Sequence, residues 1–70
     1  MPKRYTVRDL LRILAADGWR LARQKGSHRQ FEHPHRLGRV TVAGKPSDVP
    51  PPKTARSILL QAGLDPRDPA

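Results

Sequence analysis

Two apolar stripes of helical period stand near the ends of this chain, and between them the period changes to two. Val7, Leu10, Leu11 and Leu14 recur at i, i+3, i+4 and i+7, and Ala55, Ile58, Leu59 and Ala62 repeat that spacing. Each stripe is the face that an amphipathic helix must bury, so each needs an apolar partner. The intervening segment supplies it. Trp19 to Gln24, Ser27 to His33 and Arg39 to Ala43 read as three short strands, the last alternating Val40 and Val42 against Arg39 and Thr41. This order, α-β-β-β-α, predicts an α+β domain of two layers. Both helices cover one face of a three-stranded antiparallel sheet, and the other face stays open to solvent.

Local signals mark the boundaries. Thr6 followed by Asp9 resembles a capping box with Asp in place of Glu, Ile13 widens the first stripe, and Asp17-Gly18 ends that helix. Lys25-Gly26 is a tight turn, Pro34 ends the second strand, and His35 to Gly38 forms the next turn. Gly44 to Pro52 is a loop whose Pro50-Pro51-Pro52 run leads stiffly into the second helix. Gly63 stops that helix, and Leu64 is placed to fold back on it. Residues 1–64 are therefore expected to form one domain and residues 65–70, with two prolines and no large apolar side chain, a flexible tail.

A chain of 70 residues carries a thin core. It has no cysteine, which excludes a disulfide framework or a Cys-based zinc site and suits a reducing cytoplasm. No apolar run reaches membrane-spanning length and no signal-peptide core opens the sequence, so a soluble, cytoplasmic protein without a membrane partner is expected.

Charge narrows the partners. Lys and Arg number 14 against 6 Asp and Glu, a net +8, and such a field draws polyanions, of which nucleic acid is the commonest inside a cell. The excess is concentrated between residues 19 and 39. There Arg20, Arg23, Lys25, Arg29, Arg36 and Arg39 face only Glu32, and all three histidines (His28, His33, His35) fall there too.

Strand parity decides which of these share a surface. Phe31 is the large apolar residue of the middle strand and should face the helices, so His28, Gln30 and Glu32 point to the open side. Arg20, Ala22 and Gln24 of the first strand and Arg39 and Thr41 of the third are expected beside them; a bulge near Gly26 would reverse the side of His28. Histidine exchanges protons near neutral pH, and RNA carries its own nucleophile in the 2′-hydroxyl, so one histidine among arginines is a candidate RNA-cleaving group. Arg20, Lys25, Arg29 and Arg39 are candidate phosphate neutralisers, Gly26 lets the backbone approach a phosphate, and Ser27 offers a hydroxyl. Taken alone, an exposed histidine after Gly-Ser is more often a plain surface residue. His33-Pro34-His35, with no cysteine or acidic cluster nearby, falls short of a metal site, and Trp19 and Phe31 are far better explained as core than as base-stacking platforms. The residues themselves reach a basic, open-faced, RNA-compatible domain with one conspicuous histidine.

From Val7 to Leu64 the chain also resembles the HicA family of toxins from bacterial type II toxin–antitoxin systems. The resemblance rests on an ordered series: Leu10-Leu11-Arg12-Ile13-Leu14, Asp17-Gly18-Trp19, Lys25-Gly26-Ser27-His28-Arg29-Gln30-Phe31, His33-Pro34, Gly38-Arg39-Val40-Thr41-Val42 and Ser57-Ile58-Leu59-Leu60-Gln61-Ala62-Gly63-Leu64. It implies a fold like a double-stranded-RNA-binding domain and an mRNA-cleaving endoribonuclease, metal-independent and without a cofactor, that inhibits translation and growth. His28 is implied as the catalytic histidine, flanked by the Gly26-Ser27 turn. The implied partners are an mRNA substrate and a HicB-type antitoxin that covers the site, with a toxin–antitoxin hetero-oligomer as the assembly. Many members carry a second histidine where this chain has Arg29, and Pro-His where it has Ala43-Gly44. Two alternatives stay open: a non-catalytic RNA-binding module, and a degenerate toxin whose remaining role is to bind its antitoxin.

Overall fold

A computed structural model describes residues 4–67. The elements follow in the order α1 (Val7–Ala16), β1 (Arg20–Lys25), β2 (His28–Glu32), β3 (Val40–Val42) and α2 (Pro52–Gln61). The strands form one antiparallel sheet with β2 in the centre.

Helix α1 begins where its sequence says it should. The Thr6 side chain accepts from the Asp9 backbone N–H (3.1 Å) and the Asp9 carboxylate accepts from the Thr6 N–H (2.9 Å), the reciprocal pair of a capping box. The next two orphan donors are satisfied from a distance. Val7 N–H reaches the Asp48 carbonyl at 2.9 Å and Arg8 N–H the Pro46 carbonyl at 3.0 Å, so the β3–α2 loop is docked on the start of α1.

Both helices end in Schellman turns. In α1 the N–H groups of Gly18 and Trp19 return to the carbonyls of Ala15 and Leu14; in α2 those of Gly63 and Leu64 return to Leu60 and Leu59. The turn brings Leu64 back against the core, as its position after Gly63 implies. Of the expected tail, Asp65 to Arg67 make a turn held by Asp65–Arg67 hydrogen bonds, and residues 68–70 lie outside the described residues.

One apolar cluster joins the layers: Val7, Leu10 and Leu14 from α1, Phe31, Val40 and Val42 from the sheet, and Ala55, Ile58, Leu59 and Ala62 at α2, with Trp19 beneath. Both helices thus cover the Phe31–Val40–Val42 face, giving the α+β architecture read from the pattern. No helix among the described residues is long and apolar enough to cross a membrane.

The first strand departs from simple alternation. Leu21 pairs with Phe31 but Arg23 pairs with Gln30, so the register shifts by one residue at Ala22. This bulge reverses the parity of the rest of β1. Arg20, Arg23 and Lys25 share the open face, whereas Gln24, expected there, lies on the helix side opposite Arg29. Strand β2 carries no such shift between His28 and Glu32, so His28 keeps the side that counting by twos from Phe31 assigns it.

Candidate nucleic-acid interface

The open face is a grid of three rungs. Lys25 stands opposite His28; Arg23, Gln30 and Thr41 form the middle row; Arg20 stands opposite Glu32. Side chains directly opposite on antiparallel strands have Cβ atoms about 5 Å apart, and successive same-face residues along a strand are about 7 Å apart. His28, Lys25, Arg23, Arg20 and Thr41 are all exposed, and Gln30 is half-buried.

The turn that presents His28 is Gly26-Ser27. Gly26 adopts φ +58°, the left-handed conformation a tight hairpin requires, and no atom lies within 4 Å of the position a Cβ would occupy. The Gln24 side-chain amide donates to the Gly26 carbonyl at 3.0 Å and steadies the turn from the helix side. Gly26 and Ser27 themselves are exposed.

Two of the basic residues singled out from the sequence are already engaged. Arg29 lies on the helix side of β2, opposite Gln24 and Val42, and its Nη1 donates to the Gly44 carbonyl at 2.8 Å and to the Ser27 carbonyl at 3.3 Å. Its charge sits behind the turn, and its guanidinium ties β2 to the β3–α2 loop. Arg39 pairs with Glu32 at 3.3 Å, with both side chains more than half exposed. The field on the open face is therefore uneven. Among the described residues no carboxylate pairs with Arg23 or Lys25 beside His28, while at the far end Glu32 pairs with Arg39 and stands opposite Arg20.

Arg23 is the residue that sequence counting missed. Regular alternation assigns it to the core side with Trp19 and Leu21, and nothing in the composition of Leu21-Ala22-Arg23 announces a bulge. The excess of charge over apolar character in this edge strand was the one available signal.

The other histidines have a different office. His33 Nδ1 accepts from the His35 backbone N–H at 3.0 Å, so the ring proton is on Nε2, which donates to the Asp17 carbonyl at 2.6 Å. The ring also meets Trp19 edge-on, with centroids 5.2 Å apart. Arg36 pairs with the Asp17 carboxylate at 3.2 Å, and Trp19 Nε1 donates to the same carboxylate at 3.2 Å. The β2–β3 loop is thus fastened to the C-terminus of α1, where cations and N–H donors are favoured by the helix dipole. Both His33 nitrogens are committed to this fastening, and among the described residues no three His, Asp or Glu side chains converge as metal ligands would.

No curated protein matches the chain closely enough to count as a relative. A family model described as "HicA toxin of bacterial toxin-antitoxin" matches residues 7–64, from the first residue of α1 to the Schellman contact that closes α2. The residues that build both helices, the sheet and the Gly26-Ser27 turn all fall inside that match, and the chain belongs to the HicA toxin family of bacterial toxin–antitoxin systems.

Proposed function

We propose that this toxin is a metal-independent endoribonuclease that cleaves mRNA and so inhibits translation and growth, with His28 as its general acid–base group. In this reading the His28 imidazole takes the proton of a ribose 2′-hydroxyl. The 2′-oxygen attacks the adjacent phosphorus, the bond from phosphorus to the 5′-oxygen breaks, and that oxygen leaves with a proton returned by the imidazolium or by water. The products are a 2′,3′-cyclic phosphate and a 5′-hydroxyl. RNA supplies the nucleophile, so the protein must hold the backbone, neutralise phosphate charge and move a proton. Lys25, Gly26 and Ser27 flank the reacting phosphate, and Arg20 extends the cationic surface, with Arg39 beside it held by Glu32.

The observation that carries the reading is that an exposed histidine shares an open sheet face with Lys25 and Arg23, away from the cluster that holds the fold. An antitoxin protein is the expected partner, and masking this face is the simplest way for it to silence the toxin.

The test is cleavage of RNA in the presence of a chelator, wild type beside His28→Ala. Loss of a general acid–base group should slow cleavage by about 10²–10⁴-fold. Circular dichroism should report an unchanged fold, because His28 is exposed and outside the core. Full cleavage by the variant overturns the assignment of His28. RNA that is bound but intact with both proteins identifies a non-catalytic RNA-binding module, a reading favoured by His28 being the sole histidine on the face. Antitoxin binding with neither RNA binding nor toxicity identifies a degenerate toxin.

A further inference from the structure

We infer that the Ala22 bulge builds a substrate-positioning step beside His28, in which Arg23 holds the phosphate next to the scissile one and the Gln30 amide contacts the flanking base of a single-stranded RNA. The inference rests on the RNA-cleaving reading above and adds to it two residues and a direction.

A bulge re-aims side chains, and such shifts are common next to functional sites. Here it moves Arg23 from the helix side to the open face and puts it directly opposite Gln30. Arg23 and Lys25 then stand two residues apart on β1, and Gln30 and His28 two apart on β2, so each rung is separated from the next by about 7 Å. That is the reach of one extended nucleotide. A phosphate lying between His28 and Lys25 therefore has its neighbour over Arg23. A guanidinium suits this position because it presents a fork of donors to phosphate oxygens.

Direction follows from charge. Beyond the Arg23–Gln30–Thr41 row come Arg20 and Glu32, and because Glu32 pairs with Arg39 at 3.3 Å the attraction for a further phosphate is weaker on that rung. The strongly attracting part of the track spans the Arg23 and Lys25 rungs and leaves over the Gly26-Ser27 turn.

The face also selects the form of the RNA. Trp19 and Phe31 are buried in the core, so the grid offers no aromatic platform on which bases could stack. What it offers is a line of cations one strand wide, with a half-buried amide at its centre. Gln30, beside Thr41, has both a donor and an acceptor to present to the Watson–Crick edge of a base, which pairing occupies in a duplex and an unpaired strand leaves open.

The experiment measures binding of a single-stranded oligoribonucleotide and of its blunt duplex by fluorescence anisotropy, on the His28→Ala background so that the probe survives. Arg23→Ala should weaken single-strand binding about five- to tenfold and lower the salt slope by about 0.7, the signature of one lost phosphate contact. Arg12→Ala, the same charge change on exposed α1, should leave that slope unchanged. With His28 restored, Gln30→Ala should redistribute cleavage among sites while total cleavage falls by less than threefold. Equal effects of Arg23→Ala and Arg12→Ala, an unaltered cleavage pattern for Gln30→Ala, or a duplex bound as tightly as the single strand each overturn the inference. If the Arg23 and Gln30 variants behave as wild type while His28→Ala still abolishes cleavage, the inference fails and the function stands. If the wild-type protein neither binds nor cleaves RNA, the function itself has failed.

Discussion

Adding one methyl group at residue 18 tests how the sheet is fastened to α1. Gly18 ends the helix with φ +99°, a conformation that costs a residue with a Cβ about 1–2 kcal/mol. Space is also short. A Cβ there would lie 2.9 Å from His33 Nε2, the atom that donates to the Asp17 carbonyl at 2.6 Å. The ring must yield, losing a hydrogen bond worth about 1 kcal/mol and loosening its edge-on contact with Trp19, worth about 0.5 kcal/mol or more. Gly18→Ala should therefore cost about 3 kcal/mol, a large part of the roughly 4–10 kcal/mol available to a domain of this size. In a thermal melt followed by circular dichroism, that corresponds to a fall of roughly 12–24 °C. Gly26→Ala is the internal comparison. It has φ +58° but no atom within 4 Å of the added carbon, so only the conformational cost applies and the fall should be about half as large. His33→Ala in the Gly18→Ala background removes the obstruction, and the two substitutions should be less damaging together than their separate costs imply, by about 1–2 kcal/mol. A Gly18→Ala melt no lower than that of Gly26→Ala, or strict additivity in the cycle, would refute the fastening role of His33.

Arg29→Ala removes the 2.8 Å bond to the Gly44 carbonyl and should destabilise the domain by about 1–2 kcal/mol; an unchanged melting temperature would mean that this tether is not made in solution. Glu32→Gln removes the carboxylate from the open face and frees Arg39, so single-stranded RNA should bind about two- to fivefold more tightly at low salt, with the gain fading as ionic strength rises. Equal affinity at low salt would show that this end of the sheet lies off the RNA path. The Arg67 side chain and backbone N–H hydrogen-bond to Asp65 and hold its carboxyl below the ordinary range, so any stabilisation is present at neutral pH and is lost as acid protonates the native carboxyl. The group is fully exposed, and Asp65→Asn should leave the neutral-pH melt within error of wild type; a clear fall would show a role beyond this solvated pair.

Much of the fold is legible because it rests on local rules. The Thr6–Asp9 cap, the stops at Gly18 and Gly63, and the side of Phe31 each depend on residues close in sequence, and each is found where the pattern puts it. The side of His28 was legible for the same reason, since β2 runs without a register shift from His28 to Phe31. Arg29, Arg39 and His33 were not legible in this way. Their roles depend on Gly44, Glu32 and Asp17, partners from 7 to 16 positions away that only folding brings near.

The sequence by itself thus determined the two helices, the three strands, their shared core and the histidine on the open face, because periodicity and capping act over a few residues. Tertiary structure alone decided which cations accompany that histidine. A bulge at Ala22 is a property of how β1 pairs with β2, not of the Leu21-Ala22-Arg23 segment, and it exchanges Gln24 for Arg23 on the open face. The pairing of Arg39 with Glu32, and the anchoring of Arg29 behind the turn, then leave Arg23 and Lys25 as the cations free to meet a phosphate beside His28.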